Sequence, residues 1–108
     1  STGAVEYTPV ARVTNIAQTI EKLKKEGLWI CGTALEASEN YFDADLTGAL
    51  AIVIGSEGEG ISRIVRESCD FLVKIPMIGQ TESLNASVAA GILLYESLRQ
   101  RNAANKKG

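Results

Sequence analysis

Residues 50–54 read LAIVI, an apolar run that no polar residue interrupts. A strand with one face in water alternates apolar and polar residues, so this run must be covered on both of its faces. Strands of that kind occur in parallel sheets that carry helices on each side. The run therefore predicts a central parallel strand in an α/β fold.

Apolar segments at 28–31 and 71–75 predict two further strands, and helical patterns separate the three. The first helix follows Asn15, a suitable N-cap, and stops at Gly27. The remaining helices are expected over about 61–68 and about 84–101, and the region between residues 34 and 48 is expected to be a long connection that holds at most a helical turn. Helix and strand alternate, so we expect a parallel β-sheet sandwiched by helices.

The last predicted helix has an unusual composition. Its first half, residues 88–95, is apolar nearly all round, and we expect it to be buried. The following residues, 102–108, are polar and basic, and we expect them to be frayed.

Composition excludes several kinds of chemistry. The 108 residues allow one domain, and 11 basic against 13 acidic residues give a net charge of −2, without a global basic field for nucleic acid. The absence of histidine excludes imidazole catalysis, and two cysteines are too few for a four-thiolate zinc site, so we expect no metal. No apolar run reaches the roughly 20 residues of a membrane span. The first residues do not resemble a signal peptide, so we expect a cytoplasmic protein in which Cys31 and Cys69 are buried, reduced thiols.

Two loops follow predicted strands, where ligands bind in open α/β sheets. The first, GSEGEG at 55–60, has three glycines in six residues. It lacks the Lys-Ser/Thr ending of a phosphate-binding loop, and Arg63 stands where a dinucleotide fingerprint needs its third glycine. Glu57 and Glu59 would repel a phosphate. An ordinary turn and a site for a ligand with a cationic part therefore stay equally open.

The second loop, MIGQTES at 77–83, enters the last helix. Ser83 is a natural N-cap for that helix, and Asn85 and Ser87 place polar groups on its first turn. Local capping accounts for these residues somewhat better than a role in orienting a ligand or a substrate hydroxyl does, and both interpretations stay open.

These loops carry a family resemblance. IVIGSEGEGI at 52–61 and IPMIGQTESLNASVAAGILLYE at 75–96 resemble the second and third motifs of the SpoU (TrmH-type) family of SPOUT RNA methyltransferases. The upstream sequence TGAVEYTPVARVTNIAQTIEKLKKEGLWICGT at 2–33 is similar to the branch that methylates the 2′-hydroxyl of a guanosine in 23S ribosomal RNA. The resemblance covers roughly residues 2–101.

The resemblance implies a C-terminal deep trefoil knot and S-adenosylmethionine as the cofactor. Glu57 matches the carboxylate of the second motif, and Asn85 with Ser83 matches a polar pair at the catalytic centre. We expect these side chains to orient the reacting groups rather than to act as the primary base. The cofactor contacts that the resemblance implies come from Gly55, Ile75, Met77, Gly79 and Leu84.

The resemblance also implies partners and an incomplete domain. Family members are dimers that act on RNA, so we expect a homodimer and RNA, with 23S ribosomal RNA first. The family's first motif, an asparagine and an arginine before an apolar stretch, has no counterpart in residues 1–108. We therefore expect these residues to form the C-terminal part of one catalytic domain, which binds the cofactor but methylates RNA poorly or not at all on its own.

Basic side chains and substrate choice leave alternatives open. Arg12, Arg63 and Arg66 are better explained as solvated charges than as substitutes for the missing arginine. The C-terminal residues Arg99, Arg101, Lys106 and Lys107 are candidate phosphate contacts, although a solvated tail accounts for them better. A transfer RNA substrate is the alternative within the family. A non-catalytic α/β module that binds a nucleotide or a flavin is the alternative outside it.

Overall fold

The computed structural model describes residues 15–55, 61–76 and 86–107. Within these ranges the chain forms a parallel sheet of three strands in the order β2-β1-β3, with three helices, which confirms the expected α/β class. The elements, in chain order, are α1 (Ile16–Lys25), β1 (Trp29–Thr33), β2 (Leu50–Val53), α2 (Arg63–Ser68), β3 (Phe71–Val73) and α3 (Ala86–Lys107).

The position of β2 corrects the prediction of a central strand at 50–54. In the described sheet β1 is central, and β2 pairs with it along one edge, with Ile30 opposite Ala51 and Gly32 opposite Val53. The apolar run reflects coverage of both faces of β2, and a strand needs no hydrogen-bonded neighbour on each side to be covered in this way. Within the residues that the structure describes, the prediction is therefore right about the two faces of β2 and wrong about its central position in the sheet.

Each face of the sheet has its own apolar core. The face covered by α3 and by the connection between β1 and β2 holds a cluster of buried side chains from Cys31, Ala44, Leu46, Val73 and Leu93. The face covered by α1 and α2 holds a second cluster from Ile20, Ile30, Ile61 and Val65. Successive strand residues point to opposite faces, so each strand contributes to both clusters.

Local capping explains where the first two helices begin and end. The side chain of Asn15 accepts a hydrogen bond from the backbone N–H of Gln18 at 3.0 Å, as predicted for an N-cap. Gly27 follows α1 with φ of +94°, a left-handed conformation that glycine adopts without steric cost. The helix α2 begins directly after Ser62, whose hydroxyl accepts from the N–H of Val65 at 3.2 Å.

The helix α3 differs from its prediction in length and in burial. It continues to Lys107, so the expected fraying of 102–108 is wrong up to that residue. Alanines at 103 and 104 favour the helix, and residues 92–107 contain no Gly or Pro that would end it. The expected burial of 88–95 is wrong on one side of the helix, where Val88 is 50% and Tyr95 is 75% exposed. None of the described helices is both long and apolar enough to cross a membrane.

Gly32 in β1 allows the sheet and α2 to approach each other closely. A Cβ atom at this position would lie 2.6 Å from Cys69 Sγ, 3.0 Å from Leu72 Cδ2 and 3.1 Å from Ile61 Cδ1. Distances below 3.0 Å are not tolerated, so a larger residue would force these neighbours apart. The packing of α2 and of the segment before it thus requires glycine here.

We expect Gly32→Val to lower the free energy of unfolding by about 1–3 kcal/mol, because the added methyl groups overpack this contact. Urea unfolding followed by circular dichroism measures the change. Asn102→Ala is the control: Asn102 is exposed on α3, and alanine favours a helix more than asparagine does, so stability should rise by less than about 1 kcal/mol. Equal unfolding midpoints for Gly32→Val and the wild type would contradict the packing argument.

Candidate functional site at the carboxyl edge of the sheet

The carboxyl ends of β2 and β3 lie on either side of β1 at the same end of the sheet. This end, where all three parallel strands finish, is called here the carboxyl edge. Gly32 pairs with Val53 on one side, and Thr33 pairs with Val73 on the other. Gly55 follows the end of β2 by two residues, and Ile75 follows the end of β3 by two. Because strands in a sheet are about 4.8 Å apart, the two chain segments leave this edge about 10 Å from each other.

Two of the eight predicted site residues lie within the described ranges, and both lie at this edge. They are Gly55 and Ile75, which were expected to contact the cofactor; each is half-buried. Both predicted loops leave the sheet here, since residues 56–60 follow Gly55 and residues 77–85 join Pro76 to the start of α3. The other six predicted residues, Glu57, Met77, Gly79, Ser83, Leu84 and Asn85, lie outside the described ranges.

Apolar side chains line the beginnings of both loops. Ile54, next to Gly55, and Ile75 both pack against the cluster that contains Leu93 of α3. The hydroxyl of Thr33 donates to the carbonyl of Val53 at 3.5 Å, at the end of the central strand. The residues that begin the two loops at this edge, Ile54, Gly55 and Ile75, are therefore apolar and half-buried.

The two cysteines are free, as predicted, but the expected burial is confirmed for Cys31 alone, because Cys69 is half-buried. Cys31 is fully buried in the centre of the sheet. Burial, with smaller contributions from Cys69 and Glu39, raises the pKa of the Cys31 thiol to about 12. Burial also raises the pKa of Cys69. Both side chains are neutral thiols at neutral pH, so neither is suited to act as a nucleophile.

The connection between β1 and β2 contains turns rather than a helix, and it is bonded to the end of β3. Asn40 forms an isolated parallel bridge with Lys74. The N–H of Lys74 donates to the carbonyl of Glu39 at 2.9 Å, and the N–H of Tyr41 donates to the carbonyl of Lys74 at 2.9 Å. Lys74 directly precedes Ile75, so this contact secures β3 at the point where the predicted site begins.

The same connection is bonded to α3 a few residues later. Gln100 Oε1 accepts from the N–H of Leu46 at 2.8 Å, and Gln100 Nε2 donates to the carbonyl of Ala44 at 3.0 Å. The hydroxyl of Ser97 donates to the carbonyl of Leu46 at 2.7 Å. Arg101 Nη2 donates to the carbonyl of Gly48 at 2.6 Å. Four backbone groups of this segment thus find their partners on α3 side chains.

Glu96 extends this network along the helix. Arg99 donates two hydrogen bonds to its carboxylate, at 2.9 and 2.8 Å, and Gln100 Nε2 donates a third at 2.8 Å. The hydrogen bond from Arg99, followed by that from Gln100, lowers the pKa of Glu96 against the opposing effect of burial. Arg99 and Arg101, both considered for phosphate contacts, are therefore engaged within the chain.

The arginines of α2 form ion pairs at the surface. Arg63 contacts Glu67 one turn along the helix at 3.1 Å, and both side chains are mostly exposed. Arg66 pairs with Glu36 of the connection. These contacts agree with the interpretation of Arg63 and Arg66 as surface charges, and Arg12 lies outside the described residues.

An apolar groove, called here the α3 groove, lies on the outer side of α3. Its volume is about 460 Å³, and it is open to solvent. Tyr41 is one wall, where its ring meets that of Phe42 edge to face with centroids 5.1 Å apart. The full lining consists of Tyr41, Val88, Gly91, Ile92, Tyr95 and Glu96. The groove is the exposed part of the helix that the sequence pattern had placed in the interior.

Sequence reasoning missed the polar contacts of α3. Ser97, Gln100 and Arg101 have the spacing of a polar helix face, which normally indicates exposure to water. Their partners are backbone groups of an irregular segment, and no side-chain pattern identifies such groups in advance. The sequence did indicate the α3 groove, since residues 88–95 are apolar nearly all round and a helix of this kind needs to be covered on every side.

Comparison with known proteins connects this arrangement to RNA methylation. The sequence pattern of the SpoU rRNA Methylase family matches residues 1–95. The 23S rRNA (guanosine-2'-O-)-methyltransferase RlmB of Coxiella burnetii is 58% identical over 101 residues, which are 94% of this chain and 40% of that protein. RlmB of Vibrio vulnificus is 55% identical over 102 residues, again 94% of this chain, and 41% of that protein. The chain thus spans about two fifths of the length of these relatives.

A solved structure supports the same relationship. The SpoU methyltransferase AviRb from Streptomyces viridochromogenes, in complex with the cofactor AdoMet, superimposes with a TM-score of 0.70 at 37% sequence identity. The match covers 82% of this chain and 36% of AviRb. With a parallel sheet of the same fold, two loops at its carboxyl edge and a family match over most of its length, the chain belongs to the SpoU rRNA methylase family.

Proposed function

We propose that this chain is part of an S-adenosylmethionine-dependent RNA methyltransferase that acts on a ribose 2′-hydroxyl, of a guanosine in 23S ribosomal RNA. The observation that carries this proposal is the match to the SpoU family over residues 1–95. The RlmB relatives, at 55% and 58% identity, support ribosomal RNA as the substrate. An enzyme with that substrate would act in the cytoplasm. The family match does not favour the alternative of a non-catalytic module for nucleotides or flavins.

The carboxyl edge of the sheet suits the cofactor that the proposal requires. Ile54 and Ile75 present apolar, half-buried surface where the two loops begin, and a glycine at 55 leaves the backbone accessible. Adenosylmethionine supplies an electrophilic methyl group on a positively charged sulfur. An apolar surrounding favours the loss of that charge as the methyl group leaves. The residues proposed to hold the cofactor are Gly55, Ile75, Met77, Gly79 and Leu84.

Three polar residues are proposed to position the reacting groups. Asn85, with Ser83, would hold the ribose hydroxyl in line with the methyl group, because an amide and a hydroxyl can both donate and accept hydrogen bonds. Glu57 would fix the orientation of hydrogen-bond donors around the site. Alignment of this kind contributes to the rate without requiring any of the three to remove the proton of the hydroxyl.

We also propose the family's topology for the chain, with a C-terminal trefoil knot, and we place residues 1–108 in the C-terminal part of one catalytic domain. The match to the SpoU family over residues 1–95 supports the family's topology. The share of the RlmB relatives that the chain covers, 40% and 41%, supports a domain of which this chain is one portion. A protein that contains only these residues would then bind the cofactor and methylate RNA poorly.

A homodimer that joins two copies through the α3 groove completes the proposal. Val88 and Tyr95 are exposed there, and exposure of such side chains in a helix otherwise built for burial is typical of an interface between subunits. Gly91 lies between them without a side chain, which allows a second helix to approach closely. A second copy offers the same apolar surface in return, as a two-fold interface requires.

Calorimetric titration tests the proposed function directly. We expect saturable binding of adenosylmethionine and of its demethylated product, and no binding of ATP or FMN at the same concentrations. Assays of the natural full-length protein on ribosomal and transfer RNA should place the methyl group on ribosomal RNA. Binding of FMN or ATP in preference to adenosylmethionine would overturn the proposal, and methylation of transfer RNA alone would change its substrate.

We expect Asn85→Ala to reduce kcat by about 100-fold, because misalignment of a reacting hydroxyl has an effect of this order. The dissociation constant of adenosylmethionine should change little. Glu57→Gln should also lower kcat, since a neutral amide cannot accept from the same donors in the same way. The control is Glu67→Gln, which removes an exposed carboxylate on α2 and should leave turnover unchanged. Unchanged turnover in Glu57→Gln would remove the role assigned to that carboxylate.

We expect Tyr95→Asp to weaken dimerisation at least about thirtyfold, the factor that corresponds to about 2 kcal/mol at a central interface residue. Sedimentation velocity over a range of concentrations measures the dimer dissociation constant. Ile64→Asp is the matched control, since Ile64 is 68% exposed on α2 and lies on the other face of the sheet. A monomeric wild-type protein, or equal effects of the two substitutions, would contradict the proposed interface.

A further inference from the structure

The 77–85 segment joins β3 to α3, and the connection between β1 and β2 is hydrogen-bonded to both of these elements. It begins after Pro76, just beyond Lys74, whose backbone exchanges two hydrogen bonds with Glu39 and Tyr41. It ends at the start of α3, and α3 is bonded to the backbone of Ala44 through Gln100. The connection between β1 and β2 therefore contacts the end of β3 just before this segment, and it contacts α3, the helix that follows it.

The bonds to α3 fix the position of that helix along its own axis. Gln100 pairs with Leu46 and Ala44 at once, accepting from the N–H of the first and donating to the carbonyl of the second. Ser97 and Arg101 add contacts to the carbonyls of Leu46 and Gly48. A shift of α3 by one residue would move it about 1.5 Å and rotate it by 100°, which would break all four contacts together.

Apolar packing alone would hold the helix less specifically. Leu93 packs against Ala44 and Leu46, and apolar contacts are not directional, so they tolerate small shifts. Hydrogen bonds depend on distance and angle, so they do not tolerate such shifts. The polar contacts one to two turns beyond Leu93 are thus the ones that determine where α3 starts relative to the end of β3.

We infer that residues 39–48 form a brace that sets the separation between the two ends of the 77–85 segment, with Gln100 as its positioning residue. This inference rests on the proposed function, which assigns cofactor contacts to that segment. The brace acts without touching the cofactor, because Gln100 is 14 residues beyond the start of α3, about 21 Å along the helix. Its effect on the cofactor comes through the placement of α3.

Gln100→Met tests the brace, since methionine keeps the length of the side chain and loses all three hydrogen bonds. We expect the dissociation constant of adenosylmethionine to rise about tenfold, because a displaced binding segment loses part of its contact with the cofactor; this factor corresponds to about 1.4 kcal/mol of binding free energy. Calorimetry of the natural full-length protein measures the constant. In turnover assays KM for adenosylmethionine should rise more than kcat falls.

The control is Asn15→Ala, which removes the N-cap of α1 on the other face of the sheet. It lowers stability without altering either flank of the 77–85 segment, so the dissociation constant should stay at the wild-type value. Thr47→Val is a second control within the connection, because Thr47 bonds only to Asp45 in the described contacts. Thermal unfolding checks that each variant is folded at the temperature of the titration.

Equal dissociation constants for the wild type and folded Gln100→Met would overturn the brace and leave the proposed function intact. A similar rise in Asn15→Ala would also overturn it, since general loss of stability would then explain the effect. If Gln100→Met does not fold, Ser97→Ala replaces it with the same expected direction, since it removes the bond that the Ser97 hydroxyl donates to the carbonyl of Leu46 and the bond that it accepts from Arg101 Nε. Failure of the wild-type protein to bind adenosylmethionine would remove the proposed function and the brace with it.

Discussion

The structure depends on hydrogen bonds between side chains of α3 and the backbone of residues 44–48. Ala44 and Leu46 are 5% and 0% exposed although they belong to no helix or strand, so their backbone groups are removed from water without regular partners. An unpaired buried amide or carbonyl costs about 1–3 kcal/mol. Gln100 and Ser97 supply the missing partners, and among the described residues no buried side-chain nitrogen or oxygen lacks one. The apolar core on that face of the sheet exists because this polar requirement is met.

Much of the fold followed from apolar periodicity and from capping residues. The helix after Asn15, its stop at Gly27 and the three strands could be predicted because each depends on a few neighbouring residues. The order of the strands could not, since it depends on contacts between distant segments. The apolar run at 50–54 reports that both faces of β2 are covered, and that information is the same for a central strand and for an edge strand.

The candidate site was predictable in its location and less so in its surroundings. Gly55 and Ile75 could be placed at one edge because carboxyl ends of parallel strands meet there, and the motif resemblance identified the loops that follow them. The role of Gln100 could not be anticipated, because its partners are backbone atoms of a segment with no regular pattern. Tyr95 was expected in the interior for a similar reason: sequence shows that a surface is apolar, and it does not show which chain covers it.

The sheet separates two apolar clusters that have no residue in common. One contains Cys31, Val73 and Leu93, and the other contains Ile20 and Ile30. Substitutions at distant sites without shared neighbours have additive effects on stability, whereas neighbours in one cluster influence each other. Substitutions on the helices that cover opposite faces of the sheet should therefore have nearly additive effects on stability, and compensating substitutions are expected within one layer rather than across the sheet. Gly32 is an exception, because its position against α2 leaves no room for a side chain and a substitution there is not tolerated.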